Sequence, residues 1–178
     1  MFLVKDDNFL RDEQKLFINN IFLSSNFSYY LNHNSVPGDT NKYLSHTMIK
    51  RPEDKKHGDP FLNSEYADQV IDIFKTFLIK NKIDCQEILR CAVNLTFKTM
   101  NNSCPIHNDH DYEHKQLLIY LNDCVDKTAK TVLLDDKGKK ILHKITPKQY
   151  TGVCFNSCPH YMIYPKKDIR VVLVYTFR

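Results

Sequence analysis

The sequence has no apolar run near the roughly 20 residues that a membrane-spanning helix needs. Its first residues, Met-Phe-Leu-Val-Lys-Asp-Asp, lack the basic start and long apolar core of an export signal, so a cytoplasmic setting is expected. No two cysteines form a C-x-x-C. The six fall at 85, 91, 104, 124, 154 and 158, and the one close pair, Cys154 and Cys158, has no second pair to complete a zinc site. Reduced, mostly buried thiols are therefore expected. A long basic stripe is also missing. The formal charge is only +4, and lysines sit in small knots, Lys55-Lys56, Lys139-Lys140 and Lys166-Lys167. A nucleic-acid partner is permitted but not indicated. Glycine is scarce, with 4 in 178 residues, while lysine and asparagine are plentiful; this reads as coding bias without functional weight. Repeats and low-complexity stretches are absent, and the length suits a single domain over 1–178.

What is present divides in two. Residues 1–87 read as supporting helix and loop. Arg11 to Leu23 carries Leu16, Phe17, Asn20 and Ile21 on neighbouring turns, which predicts an amphipathic helix. A turn-rich connection follows, from Asn32 through Pro37-Gly38-Asp39 to Gly58-Asp59-Pro60. Ser64 then precedes a predicted helix to about Lys82 with Val70, Ile71, Phe74, Phe77 and Leu78 as its buried stripe.

Residues 88–178 switch to strand periodicity. Leu89, Cys91, Val93, Leu95 and Phe97 alternate with Arg90, Ala92, Asn94 and Thr96. Further strands are predicted over 116–122, 131–134, 140–145, 150–155 and 169–177, with Asp135-Asp136-Lys137-Gly138 as a hairpin turn. Helices followed by many short strands predict an α+β domain whose sheets close as a sandwich or jelly roll, the N-terminal helices packed on one sheet.

The chemistry concentrates at Pro105-Ile106-His107-Asn108-Asp109. Side chains two apart on a strand point to the same side, so His107 and Asp109 can offer an imidazole nitrogen and a carboxylate oxygen to one metal. His160, in a predicted loop before the terminal strand, supplies a second imidazole. Two His and one carboxylate on one face of an octahedron leave three positions open, the arrangement of non-haem Fe(II) oxygenases. Arg170, ten positions after His160, opens the run Arg-Val-Val-Leu-Val-Tyr-Thr-Phe. Its planar guanidinium can grip the far carboxylate of a dicarboxylic acid through two parallel hydrogen bonds.

Residues 107–178 resemble the C-terminal half of the small prolyl-4-hydroxylase-like 2-oxoglutarate/Fe(II) dioxygenases, notably the compact phage- and virus-encoded type. The matching pieces are His107-Asn108-Asp109, His114 to Asn122, Thr131 to Asp135, Ile145 to Lys148, Val153 to Ser157, Cys158-Pro159-His160 and Arg170. The resemblance implies a double-stranded β-helix (cupin-like) with Fe(II) on His107, Asp109 and His160, 2-oxoglutarate and O₂ as cosubstrates, and ascorbate as supporting reductant. It further implies that Tyr120 binds the distal 2-oxoglutarate carboxylate beside Arg170, that Leu118 lines the same pocket, and that Asn94 or Thr96 touches cosubstrate or substrate. Leu118 and Val172 would form an apolar wall around the reacting centre. The implied substrate is a peptide or protein side chain such as proline, or else a metabolite or nucleobase, and the implied location is the cytoplasm, the host's if the chain is viral. Two departures stand out. The glycines that usually follow the Tyr-Leu-Asn run are missing from Val125 to Lys130, and Val172 stands where a Ser or Thr hydroxyl often assists the arginine.

Other readings fit parts of the pattern. A retired jelly-roll binding module would explain the lost glycines but not the retained ligands. A hydrolase using the cluster from His107 to His114 would leave Arg170 unexplained. His110, Asp111 and His114 are expected to border the substrate mouth without touching metal, His143 to lie on the exposed hairpin, and His33, His46 and His57 to lie in loops without a role. Oligomeric state is not legible in the sequence.

Overall fold

A computed structural model of the chain describes residues 2–54, 61–125 and 127–178. The knot Lys55-Lys56, His57, the turn Gly58-Asp59-Pro60 and Asp126 lie outside the described residues. The elements in chain order are β1 (Leu3–Asp6), α1 (Asp12–Phe17) continued by a π turn (Ile18–Phe22), β2 (Tyr30–Asn32), β3 (Tyr43–Ile49) and α2 (Ala67–Asn81). They are followed by β4 (Ile88–Thr96), β5 (Lys115–Tyr120), β6 (Lys130–Leu134), β7 (Ile141–Ile145), β8 (Gly152–Asn156), β9 (His160–Ile163) and β10 (Arg170–Phe177).

The strands form two antiparallel sheets, a larger one ordered β1-β8-β5-β10-β4-β3-β2 and a smaller one ordered β7-β6-β9. Period-2 alternation divides β10 between two cores, while β4 gives one face to the first core and the other to a cavity. Cys91, Val93, Val171, Leu173, Tyr175 and Phe177 face the helices. Val172 and Val174, with Leu118 and Tyr120 of β5 and Val153 and Phe155 of β8, face the smaller sheet and meet its Leu133 and Ile145. The α+β expectation of two packed sheets with helices on one of them is met.

Helix α2 buries Val70, Ile73, Phe74, Phe77 and Leu78 on the larger sheet. It ends at Lys82, which adopts a left-handed φ of 55°, while Ile83 N–H reaches back to the Leu78 carbonyl at 3.0 Å. Gly152 lies beneath it. A Cβ there would stand 2.5 Å and 2.7 Å from ring atoms of Phe77, so only glycine lets helix and sheet approach this closely.

Several expectations need correction. The first 87 residues are not only helix and loop: β1 pairs with β8, and β2 and β3 extend the larger sheet beyond β4. The N-terminal helix turns its face because the π turn shifts the register. Ile18 and Phe22 are the buried residues and Leu16 is 60% exposed. His46 lies on β3, stacked near Phe27 and bonded through Nδ1 to the Ser28 carbonyl. His160 opens a strand, β9, instead of sitting in a loop.

Candidate active site

The short bridge between His107 and His160 brings the predicted ligands together. Each backbone N–H donates to the other's carbonyl at 3.0 Å, and the two rings lie 4.4 Å apart. His107 Nδ1 contacts the Pro105 carbonyl at 2.9 Å, and His160 Nδ1 contacts the Cys158 carbonyl at 2.9 Å. A carbonyl only accepts, so each Nδ1 carries the proton and each Nε2 presents a lone pair, as metal-bound imidazoles do. Burial pushes His160 down to about 4, which keeps it neutral and ready to ligate.

Asp109 turns Oδ2 toward His160 Nε2 at 3.9 Å. Its other oxygen, Oδ1, accepts from Arg51 Nη2 at 3.2 Å, and its backbone carbonyl accepts from Arg51 Nη1 at 2.8 Å. Gln116 Nε2 donates to Oδ2. Burial works to raise this carboxyl, but His160, Arg90, His107 and Arg51 outweigh it and hold it at about 2. Among the described residues no three His, Cys, Asp or Glu side chains already stand at ion-gripping distance. Neighbouring ligand atoms on an octahedral ion bound at about 2.1 Å lie roughly 3 Å apart. The remaining gap of about an ångström is within the reach of side-chain rotation. The donor set, one hard carboxylate and two neutral imidazoles, suits Fe(II).

A cavity of about 120 Å³ runs inward from these side chains, lined by Leu118, Thr131, Met162, Arg170 and Val174 among others. Arg170 is buried at its inner end. Nη2 donates to Thr131 Oγ1 at 3.0 Å and Nη1 approaches Met162 Sδ at 2.7 Å, while Nε has no partner. No acid pairs with it among the described residues. A buried guanidinium with only neutral partners is costly unless an anion completes it, so the inner end fits the far carboxylate of 2-oxoglutarate.

The other predicted residues fall close by with altered roles. Tyr120 is fully buried and spends its hydroxyl on Thr131 Oγ1 at 2.8 Å, with the Arg170 guanidinium 5.5 Å from its ring centre. Thr131, which lines the cavity, thus carries a hydroxyl between Tyr120 and Arg170. Leu118 lines the cavity as predicted, but its apolar partner is Val174, since Val172 is buried in the core beneath. Asn94 and Thr96 both line the cavity. His110 and His114 are buried, not at the mouth. His110 Nε2 meets Thr176 Oγ1 at 2.8 Å, and His114 Nε2 accepts from Gln116 at 3.5 Å. His143 is exposed on β7 as expected. The missing glycine turn is built with Lys127 in the left-handed region at φ 51°.

Four residues went unforeseen. Arg90 was legible, being on the same face of β4 as Asn94 and Thr96. Gln116 carried a weaker signal, two before Leu118. Arg51 and Thr131 carried none, because no local pattern announces a contact made 58 or 39 positions away.

All six cysteines are free, five of them buried, and no helix among the described residues is long and apolar enough to cross a membrane. No family model and no curated protein matches the sequence. Solved structures do match the fold. An oxidoreductase of the 2OG-Fe(II) oxygenase family from Burkholderia pseudomallei superposes with a TM-score of 0.73 at 17% identity, covering 98% of this chain and 84% of that one. A Pseudomonas putida prolyl-4-hydroxylase gives 0.65 at 15% identity, covering 99% and 91%. A Trichoplax adhaerens prolyl hydroxylase, solved with a hypoxia inducible factor peptide fragment, gives 0.64 at 15% identity, covering 98% and 82%. The chain thus has the fold of the 2-oxoglutarate/Fe(II) oxygenases.

Proposed function

We propose that the protein is a 2-oxoglutarate- and Fe(II)-dependent dioxygenase that hydroxylates an organic substrate, with a peptidyl side chain such as proline favoured. The whole chain acts as one domain, its two sheets read as a double-stranded β-helix, and the motifs from His107 onward support the compact phage- and virus-encoded type. Its setting is then the cytoplasm, the host's if the chain is viral. The observation that carries the reading is the pairing, within one cavity, of His107, Asp109 and His160 drawn together and a buried arginine that lacks an acid. The peptide preference leans on the peptide-bound prolyl hydroxylase among the similar folds.

His107 and His160 would hold the iron through Nε2 and Asp109 through Oδ2. Fe(II) with 2-oxoglutarate and O₂ supplies an oxidant that hydroxylates a C–H bond while succinate and CO₂ leave. The rest falls to this chain. Arg51 holds Asp109 Oδ1 and so aims Oδ2 at the histidines. Arg170 and Thr131 hold the far end of the dicarboxylate, which fixes its reacting end toward the triad. Leu118 and Val174 exclude water between the two ends.

Purified protein given Fe(II), ascorbate and 2-oxoglutarate is expected to release succinate slowly without substrate, and Asp109→Ala to abolish that release. Stoichiometric zinc together with no binding of 2-oxoglutarate would overturn the assignment.

A further inference from the structure

Three arginines line the cavity, and 2-oxoglutarate accounts for one. Arg90 points inward from β4 opposite Thr176, while Arg170 pairs with Thr96 six residues away on the same strand. At about 3.3 Å per residue the two backbone positions are roughly 20 Å apart, so the guanidiniums enter from opposite ends. A five-carbon diacid anchored on Arg170 and the triad is used up before it reaches Arg90.

Arg90 has no hydrogen-bond or ion-pair partner among the described residues. Its nearest charges are Arg51 and Asp109, and burial followed by the repulsion of Arg51 lowers its hold on its proton. Arg51 is anchored on Asp109 and is partly exposed at the rim. The other acid near Arg51, Glu53, is exposed and engaged by Tyr112 at 2.6 Å and by His110 at 3.6 Å. One carboxylate therefore faces two guanidiniums. A divalent ion on Asp109 uses up that carboxylate, and a bound dicarboxylate offsets only the ion's remaining charge and Arg170. Two positive charges then remain on the substrate side of the metal.

We propose that Arg51 and Arg90 form a second anion subsite, which takes a carboxylate or phosphate group carried by the substrate. The inference rests on the oxygenase reading, which assigns Arg170 to the cosubstrate. It predicts that the hydroxylated C–H bond belongs to a molecule whose acidic group lies near the reacting carbon.

The test uses the full chain under argon with Mn(II) and saturating 2-oxoglutarate, titrated calorimetrically with phenyl phosphate and, separately, N-acetylglycine. The wild type is expected to bind at least one, and the stronger names the group. Arg90→Met is expected to weaken that probe at least about tenfold, leave 2-oxoglutarate affinity within about twofold, and keep or raise the melting temperature, because an unpaired, half-buried charge has been removed. Arg170→Met is expected to show the converse pattern of affinities. No binding of either probe, or equal binding by Arg90→Met, overturns the subsite. So does loss of 2-oxoglutarate in Arg90→Met, which would make Arg90 a cosubstrate residue, or a lowered melting point, which would make it structural. Probe binding that depends on Arg90 in a wild type that ignores 2-oxoglutarate would sink the oxygenase reading and leave the subsite standing.

Discussion

Thr131 Oγ1 accepts from both Tyr120 and Arg170, so its own proton is free for an anion resting on the guanidinium. On the proposed reading, the tyrosine that family resemblance assigns to the cosubstrate would act through this hydroxyl. Thr131→Val keeps the shape and strands two buried donors, at about 1–3 kcal/mol each. It is expected to weaken 2-oxoglutarate binding about tenfold or more and to lower the melting temperature. Tyr120→Phe removes one donor and is expected to change the affinity by less than about threefold. Calorimetry on both variants decides the matter, and the opposite order would put Tyr120 in direct contact with the cosubstrate. At this scale the proposed metal ligands were readable from the i, i+2 spacing of His107 and Asp109, although an isolated bridge at His107 and not a strand carries them. Thr131 and Arg51 were not, since the partners of one come from the opposite sheet and that of the other from a loop.

At the scale of elements, periodicity located α2 and six of the ten strands among the described residues, and most of its failures have identifiable causes. β1 and β2 are short edge strands of 4 and 3 residues, too brief for alternation to show. β9 follows Pro159 closely, which made it read as loop. The N-terminal helix was found but its buried face was misassigned, because a π turn breaks the 3.6-residue period. The alternation in β4 was seen, but its polar side lines a cavity instead of solvent, so Arg90 was passed over although its place on that face was legible. Gly152 shows what composition hides: with 4 glycines in the chain, this one sits where α2 meets β8. Gly152→Ala would drive a methyl into the Phe77 ring, which is itself held edge-on by Phe9 at 4.9 Å. A loss of about 1–3 kcal/mol is expected in denaturant unfolding, with the midpoint lowered and the slope unchanged. An unaltered midpoint would mean that helix and sheet are not packed this closely.

For the whole molecule, the two cores are unequal. The larger joins the helices to the larger sheet; the smaller joins the two sheets. The site sits across that weaker junction, with His160 on β9 and Thr131 on β6 of the smaller sheet and Arg170 on β10 of the larger. Arg170 reaches across to Thr131, so an anion on both would tie the sheets together, and a metal on His160, His107 and Asp109 would fasten the smaller sheet to the segment leading into β5. Ligands that bind only the folded chain stabilise it by mass action, by about 2.7 kcal/mol at a concentration 100 times Kd. A chain of this size gains roughly 2–4 °C per kcal/mol. Saturating Mn(II) with 2-oxoglutarate is therefore expected to raise the melting temperature by about 5–10 °C over protein held in chelator. Arg170→Met should retain the share contributed by Mn(II) alone and lose the share contributed by 2-oxoglutarate. If 2-oxoglutarate adds nothing to the effect of Mn(II) in the wild type, the buried guanidinium is not what receives it, and the link between the sheets must be sought in their apolar contact alone.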